Sequence, residues 1–135
     1  GWLAVPQGPG LGVDIDEASL KASRENADAN GISLSRFAIG LGSVTEVLAG
    51  KFQACSQDGN RGIRNATLVL ANILAPIIIR LFGMRLAELV TPGGTLILSG
   101  ILAEQAQGVI ASAEAHGLKL VERRQAGDWV ALLVR

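Results

Sequence analysis

Two extended runs, Leu118 to Arg124 and Trp129 to Val134, are separated only by Gln125-Ala126-Gly127-Asp128. A link that short joins antiparallel neighbours, because a parallel partner needs a crossover of about a dozen residues or more. Upstream of it, strand and helix signals alternate, the pattern of a mostly parallel sheet covered by helices. A parallel α/β sheet closed by one antiparallel hairpin strand is therefore expected, in the order β-α-β-loop-β-α-β-α-β-β. The last strand, Trp129 to Val134, should run antiparallel and insert beside the strand at Thr95 to Ser99.

The other elements follow from local chemistry. Leu11 to Ile15 reads as a short buried strand. Asp16 suits the N-cap of the next helix, Glu17 sets a carboxylate at its positive end, and Asn30-Gly31 supplies a left-handed stop. A second strand is expected at Arg36 to Leu41 and a turn or two of helix at Thr45 to Ala49. Lys51 to Asn65 is polar and, with the flanking Gly50, carries Gly59 and Gly62, so it reads as a loop. Ala66 to Ala71 is small and β-branched without alternation, which predicts a central strand buried on both faces. Pro76 fits the first turn of a helix over Ala75 to Leu89. Thr91-Pro92-Gly93-Gly94 marks a turn, and Thr95 to Ser99 another buried strand. Ala103 to Ala115 reads as a helix ending at His116-Gly117.

Composition narrows the function. The 135 residues suit one domain, and 49% apolar with 18% charged residues excludes disorder. A mean hydropathy of +0.37 fits a sheet buried on both faces, or apolar surface that another segment covers. Twelve basic residues balance twelve acidic ones, so the chain lacks the broad positive field of a nonspecific nucleic-acid binder. A local acidic patch would still serve a basic protein substrate. Cys55 is the single cysteine, which rules out an internal disulfide and a multi-cysteine zinc site; it reads as an inert thiol. The opening GWLAVPQGPG, without a basic start or a long apolar core, is not expected to be a signal peptide. Ile73 to Leu89, the most apolar stretch, is interrupted by Arg80, Arg85 and Glu88, too charged to span a membrane. A cytoplasmic enzyme domain is the expectation.

Few residues are placed to do chemistry. Asp14, in GVDID, falls at the carboxyl end of a strand, the edge where open α/β sheets bind ligands and where an acidic residue takes a ribose diol. A second helix cap is the alternative. Asn72 directly follows an apolar strand; it could orient an amine by accepting its hydrogen bonds, or simply cap the next helix. Gly100 ends the following strand and permits close backbone approach, to a ligand or in a turn. His116 reads as a surface residue favoured by the helix dipole. Trp129 reads as core or edge packing, with a place in a substrate cleft as the alternative.

Several segments taken together resemble the ribosomal protein L11 methyltransferase (PrmA) family of class I S-adenosylmethionine-dependent methyltransferases. GVDIDEASLKASRENADANG is similar to the family's second motif and helix, and LVLANILA to its strand and asparagine motif. LVTPGGTLILSGILAEQA is similar to its post-helix turn, fifth strand and next helix, and AGDWVALLVR to its closing hairpin strand. The resemblance implies a Rossmann-like methyltransferase sheet, with residues 1–135 as one partial catalytic domain. It implies S-adenosyl-L-methionine as cofactor, Asp14 on its ribose hydroxyls, Ile15 against its adenine, and Gly42-Ser43 in the adenine-facing turn. Asn72 would contact the cofactor and hold the target amine, an N-terminus or a lysine of a ribosomal protein, L11 by the family's name. The resemblance implies no need for a metal, and no direct contact with nucleic acid or membrane is expected.

The family's glycine-rich loop and the strand before it are missing from this sequence, with Gly1 at most the loop's last glycine; the motif could be encoded upstream or supplied by another chain. Val5 to Gly10, with two prolines and two glycines, breaks the helix that should follow. This stretch by itself is expected to be inactive and to hold the cofactor poorly. Two other functions compete: a catalytically dead domain that binds a partner, and a nicotinamide-dependent Rossmann oxidoreductase. Strand order separates the second from a methyltransferase.

Overall fold

The computed structural model describes residues 10–33, 35–54 and 61–135. Gly1, the proposed remnant of the glycine-rich loop, and Cys55 lie outside the described residues, as do Val5 to Pro9. The chain folds as two compact units, Gly1–Arg64 and Asn65–Arg135.

In the first unit β1 (Gly10–Asp14) pairs in parallel with β2 (Phe37–Leu41), from Gly10 opposite Phe37 to Asp14 opposite Leu41. The crossover between them is α1 (Glu17–Ala29). Its start is fixed by Asp16, which accepts hydrogen bonds from the Ala18 and Ser19 N–H groups at 3.3 and 3.2 Å and from Ser19 Oγ at 3.0 Å. Those bonds, the Ser19 hydroxyl first, hold the Asp16 carboxyl below the usual aspartate range. Its end is the expected Asn30 cap followed by Gly31 at φ 67°. Helix α2 (Val44–Leu48) follows β2. Leu20, Ala27, Val44 and Val47 form this unit's buried core.

The expected loop from Lys51 to Asn65 contains two short strands. Strand β3 (Phe52–Ala54) pairs antiparallel with β4 (Arg61–Ile63). Three-residue strands carry too few residues to show alternation, and Gly62, a poor strand former, is tolerated because it lies against the Gly50 backbone. A Cβ on Gly62 would sit 3.0 Å from the Gly50 carbonyl oxygen.

The second unit holds a four-stranded sheet in the order β5-β6-β8-β7. Strand β5 (Ala66–Asn72) runs parallel to β6 (Val90–Leu102). Strands β7 (Leu120–Ala126) and β8 (Trp129–Val134) form the hairpin, and β8 lies antiparallel to both β6 and β7. The last strand thus inserts beside Thr95 to Ser99 as the sequence predicts, an order that decides against the nicotinamide reading. The hairpin is tighter than expected: Ala126 pairs with Trp129, leaving only Gly127 and Asp128 in the turn, with Gly127 at φ 59°. A two-residue turn with glycine first matches the strand twist.

Helices α3 (Ala75–Gly83) and α4 (Ala106–Ala115) pack on each other and on β6, β7 and β8. Ile78, Phe82, Leu96, Leu98, Ile101, Val109 and Leu132 fill the core between them. Helix α3 stops six residues before the predicted Leu89. Arg85 turns left-handed at φ 73°, and Leu86–Leu89 forms a 3-10 turn. The Arg85 guanidinium grips Glu88 through two bonds, 2.7 and 2.5 Å, which hold that reversal in place.

The Thr91-Gly94 turn is a bulge inside β6, since β5 advances from Ala66 to Leu68 while β6 advances from Val90 to Thr95. Strand β5 is not buried on both faces: Leu70 is 67% exposed, and β6 is its one partner in this sheet. An apolar run states what each face could bury, but cover comes from other elements. Among the described residues, no helix is long and apolar enough to cross a membrane.

Candidate functional site

Parallel pairing brings strand ends into line, so the residues that leave β1 and β2 meet at one edge. Asp14 closes β1, and its carbonyl oxygen accepts the Gly42 N–H at 2.8 Å. Its side-chain Oδ1 accepts the Asp16 N–H at 2.9 Å, which orients the carboxylate. Oδ2 has no protein donor among the described residues, so it is open to a hydroxyl pair. Asp14 is not the N-cap of α1, a place that Asp16 takes; its one structural bond is to the backbone N–H of that cap residue. Ile15, beside it, is 76% exposed, an apolar surface at a strand end where polar residues are the rule.

Gly42 and Ser43 lie next to Asp14 on the same edge. A Cβ on Gly42 would come within 2.9 Å of the Glu46 side chain and 3.0 Å of Phe52 Cζ, so glycine is required for the turn to close. Ser43 is the N-cap of α2, and its N–H donates to Glu46 Oε2 at 2.9 Å. That bond, foremost, holds the Glu46 carboxyl below its usual range. The structure therefore brings Asp14, Ile15, Gly42 and Ser43 together, and they suit a nucleoside: an oriented carboxylate for a diol and an apolar residue for a flat base.

The second unit presents its own edge. Asn72 ends β5 opposite Ser99 of β6, and the Ile73 N–H donates to the Ser99 carbonyl at 3.2 Å. Asn72 does not cap α3. The N-cap is Leu74, which has no polar side chain, and Pro76 occupies the first turn. Of the two roles open to Asn72 in the sequence, the structural one is thus removed. Asn72, Ile73, Leu74, Gly100 and Trp129 line an open cleft of about 550 Å³.

Trp129 is 53% exposed and forms a wall of that cleft, so of its expected places the core is excluded, while edge packing and a place in a substrate cleft both fit. The signal in the sequence is its position as first residue of the hairpin strand, opposite Leu102, where the sheet edge opens. Sequence reasoning misses Leu74: an exposed leucine at a helix N-cap, where serine or aspartate is preferred, is the available clue. His116 is exposed at the end of α4, as expected; its Nδ1 lies 2.8 Å from the Ser112 carbonyl and its ring stacks on Phe82 at 5.5 Å.

The profile of the ribosomal protein L11 methyltransferase (PrmA) family matches residues 8–135. A ribosomal protein L11 methyltransferase of Pelotomaculum thermopropionicum is 35% identical over 93% of this chain and 35% of its own length. One from Pseudomonas aeruginosa is 42% identical over 78% of this chain and 30% of its own length. The chain spans about a third of the length of the curated relatives it matches. Among solved structures, a ribosomal protein L11 methylase of Lactobacillus delbrueckii subsp. bulgaricus superposes with a TM-score of 0.72 at 29% identity, over 93% of this chain and 56% of that one. A precorrin 8w decarboxylase of Methanobacterium thermoautotrophicum shares the fold alone, with a TM-score of 0.61 at 14% identity, over 92% of this chain and 67% of that one.

Proposed function

Since the chain belongs to the ribosomal protein L11 methyltransferase family, we propose that it forms part of an enzyme that methylates amino groups of a ribosomal protein, L11 by the name of its relatives. S-adenosyl-L-methionine is the methyl donor in this reading, and the cytoplasm its place of action. Both compact units belong to one catalytic domain, a reading supported by a family match that runs through them.

The observation that carries the proposal is Asn72: a polar amide at the carboxyl end of a parallel strand, relieved of any capping duty, in a cleft with apolar walls. Bound, the donor supplies an electrophilic methyl group on a sulfonium. The chain's own residues do the rest. Asp14 takes the ribose hydroxyls, Ile15 covers the adenine, and the Gly42-Ser43 turn borders it. Asn72 Oδ1 accepts an N–H of the neutral amine, which fixes the direction of the nitrogen lone pair. Leu74 and Trp129 give the amine apolar walls and leave room for it to turn between transfers. Alignment of this kind supplies most of the acceleration in a displacement that needs no strong base.

The test is transfer of labelled methyl groups to ribosomal protein L11 by the active enzyme and by its Asn72→Ala variant. Loss of turnover, on the order of tenfold to a hundredfold, with cofactor affinity retained is expected. Equal turnover in the two proteins would remove Asn72 from the reaction.

A further inference from the structure

The edge of the cleft is shaped by a backbone irregularity that the reaction scheme leaves unused. Strand β6 pairs with β8 in register up to Leu98 opposite Leu132, and again from Ile101 opposite Val130. Between those points β6 advances three residues and β8 two, so Ser99-Gly100 is a bulge. Gly100 sits at φ 77°, a conformation that side chains rarely adopt. A Cβ placed there would lie 2.9 Å from Asn72 Oδ1, 3.1 Å from the Ile73 carbonyl oxygen and 3.2 Å from the Ile73 nitrogen. Three polar atoms of the β5 exit thus press against the bare face of one glycine.

From this geometry we infer that Gly100 is a positioning residue for methyl transfer: its bulge seats Asn72, and the missing side chain is what leaves Asn72 Oδ1 where the amine needs it. The inference rests on the proposed role of Asn72. The mechanism is steric and local. Any Cβ at position 100 forces Asn72 or the Ile73 peptide outward by several tenths of an ångström, since ordinary contacts begin near 3.4 Å. Bulges recur beside active sites because they re-aim a neighbouring side chain at small cost to the sheet.

The structure also contains its own control. Gly93, in the same strand, has nearly the same φ, 76°, yet a Cβ there would meet nothing within 4 Å. Gly93→Ala therefore imposes a similar backbone strain without touching Asn72, and separates strain from displacement.

The experiment compares Gly100→Ala and Gly93→Ala in the active enzyme by three measurements: cofactor affinity by calorimetry, turnover on ribosomal protein L11, and the Asn72 side-chain amide resonance by NMR. Gly100→Ala should shift the Asn72 amide signal and lower turnover on the order of tenfold to a hundredfold, while the cofactor dissociation constant stays within about twofold. Gly93→Ala should change neither the signal nor turnover. An unmoved Asn72 signal in Gly100→Ala overturns the inference whatever happens to activity. A moved signal with undiminished turnover overturns the role of Asn72 itself, and the inference with it. If Gly100→Ala does not fold, the wild type still decides: a nuclear Overhauser contact between Gly100 Hα and the Asn72 side-chain amide is required, and its absence refutes the seating.

Discussion

Two carboxylates two residues apart, Asp14 and Asp16, should divide their labour completely. Asp16 commits both oxygens to the first turn of α1, accepting from the Ala18 and Ser19 N–H groups and the Ser19 hydroxyl. Among the described residues, the Asp14 carboxylate accepts one bond, from the Asp16 N–H at 2.9 Å, and Oδ2 has no donor. Two charge-assisted hydrogen bonds to a ribose diol are worth about 1.5–3 kcal/mol each. Because Oδ1 already serves the chain, the low end applies, about 3 kcal/mol in all. At about 1.4 kcal/mol per factor of ten, Asp14→Ala should weaken cofactor binding on the order of a hundredfold. Asp14→Asn keeps an oxygen for the Asp16 N–H but loses the charge, so a loss on the order of tenfold is expected. Asp16→Ala should instead lower the unfolding temperature and leave the cofactor dissociation constant within about twofold. Calorimetric titration of S-adenosylmethionine into the active enzyme, with thermal unfolding of each variant in parallel, measures both quantities. If Asp16→Ala loses the cofactor as severely as Asp14→Ala, the division is wrong and the whole turn, rather than one carboxylate, makes the site.

Other outcomes follow from the same structure. Leu132 is fully buried in the strand that β6 and β7 enclose, so Leu132→Ala should destabilise the protein by about 2–5 kcal/mol, read from urea unfolding; a loss below about 1 kcal/mol would mean that β8 does not anchor this core. Gly40 lies under the Phe52 ring, which the Cβ of an alanine would overlap, so Gly40→Ala should cost about 1–3 kcal/mol unless the ring swings away. The Asp16 carboxyl is depressed in the folded protein, so its contribution is present above the ordinary aspartate value and lost as pH falls through the lower folded value. Asp16→Asn retains a capping oxygen that does not titrate. Its disadvantage in unfolding temperature relative to wild type should therefore shrink as pH is lowered below about 4; a gap independent of pH would show that the charge of Asp16 contributes nothing.

What the sequence determined by itself is whatever a few neighbouring residues settle among themselves. Asp16 caps a helix because its oxygens reach N–H groups two and three residues on, and Asn30-Gly31 stops it because glycine turns left-handed without cost. The short link before Trp129 dictates an antiparallel hairpin, and the structure has one. Tertiary structure decided the rest. The apolar run of β5 reads as buried, yet Leu70 is exposed, because burial belongs to the partner that covers a face. Asn72 could cap a helix or face a ligand until the helix began at Ala75, with Leu74 as its cap. Trp129 and Gly100 come beside Asn72 only through strand pairing, which joins residues tens of positions apart. Local propensity acts over the few residues whose atoms can touch along the chain, whereas a site at a sheet edge is assembled by hydrogen bonds between strands. Its members are legible one by one in the sequence, but their meeting point is set only by the register of the sheet.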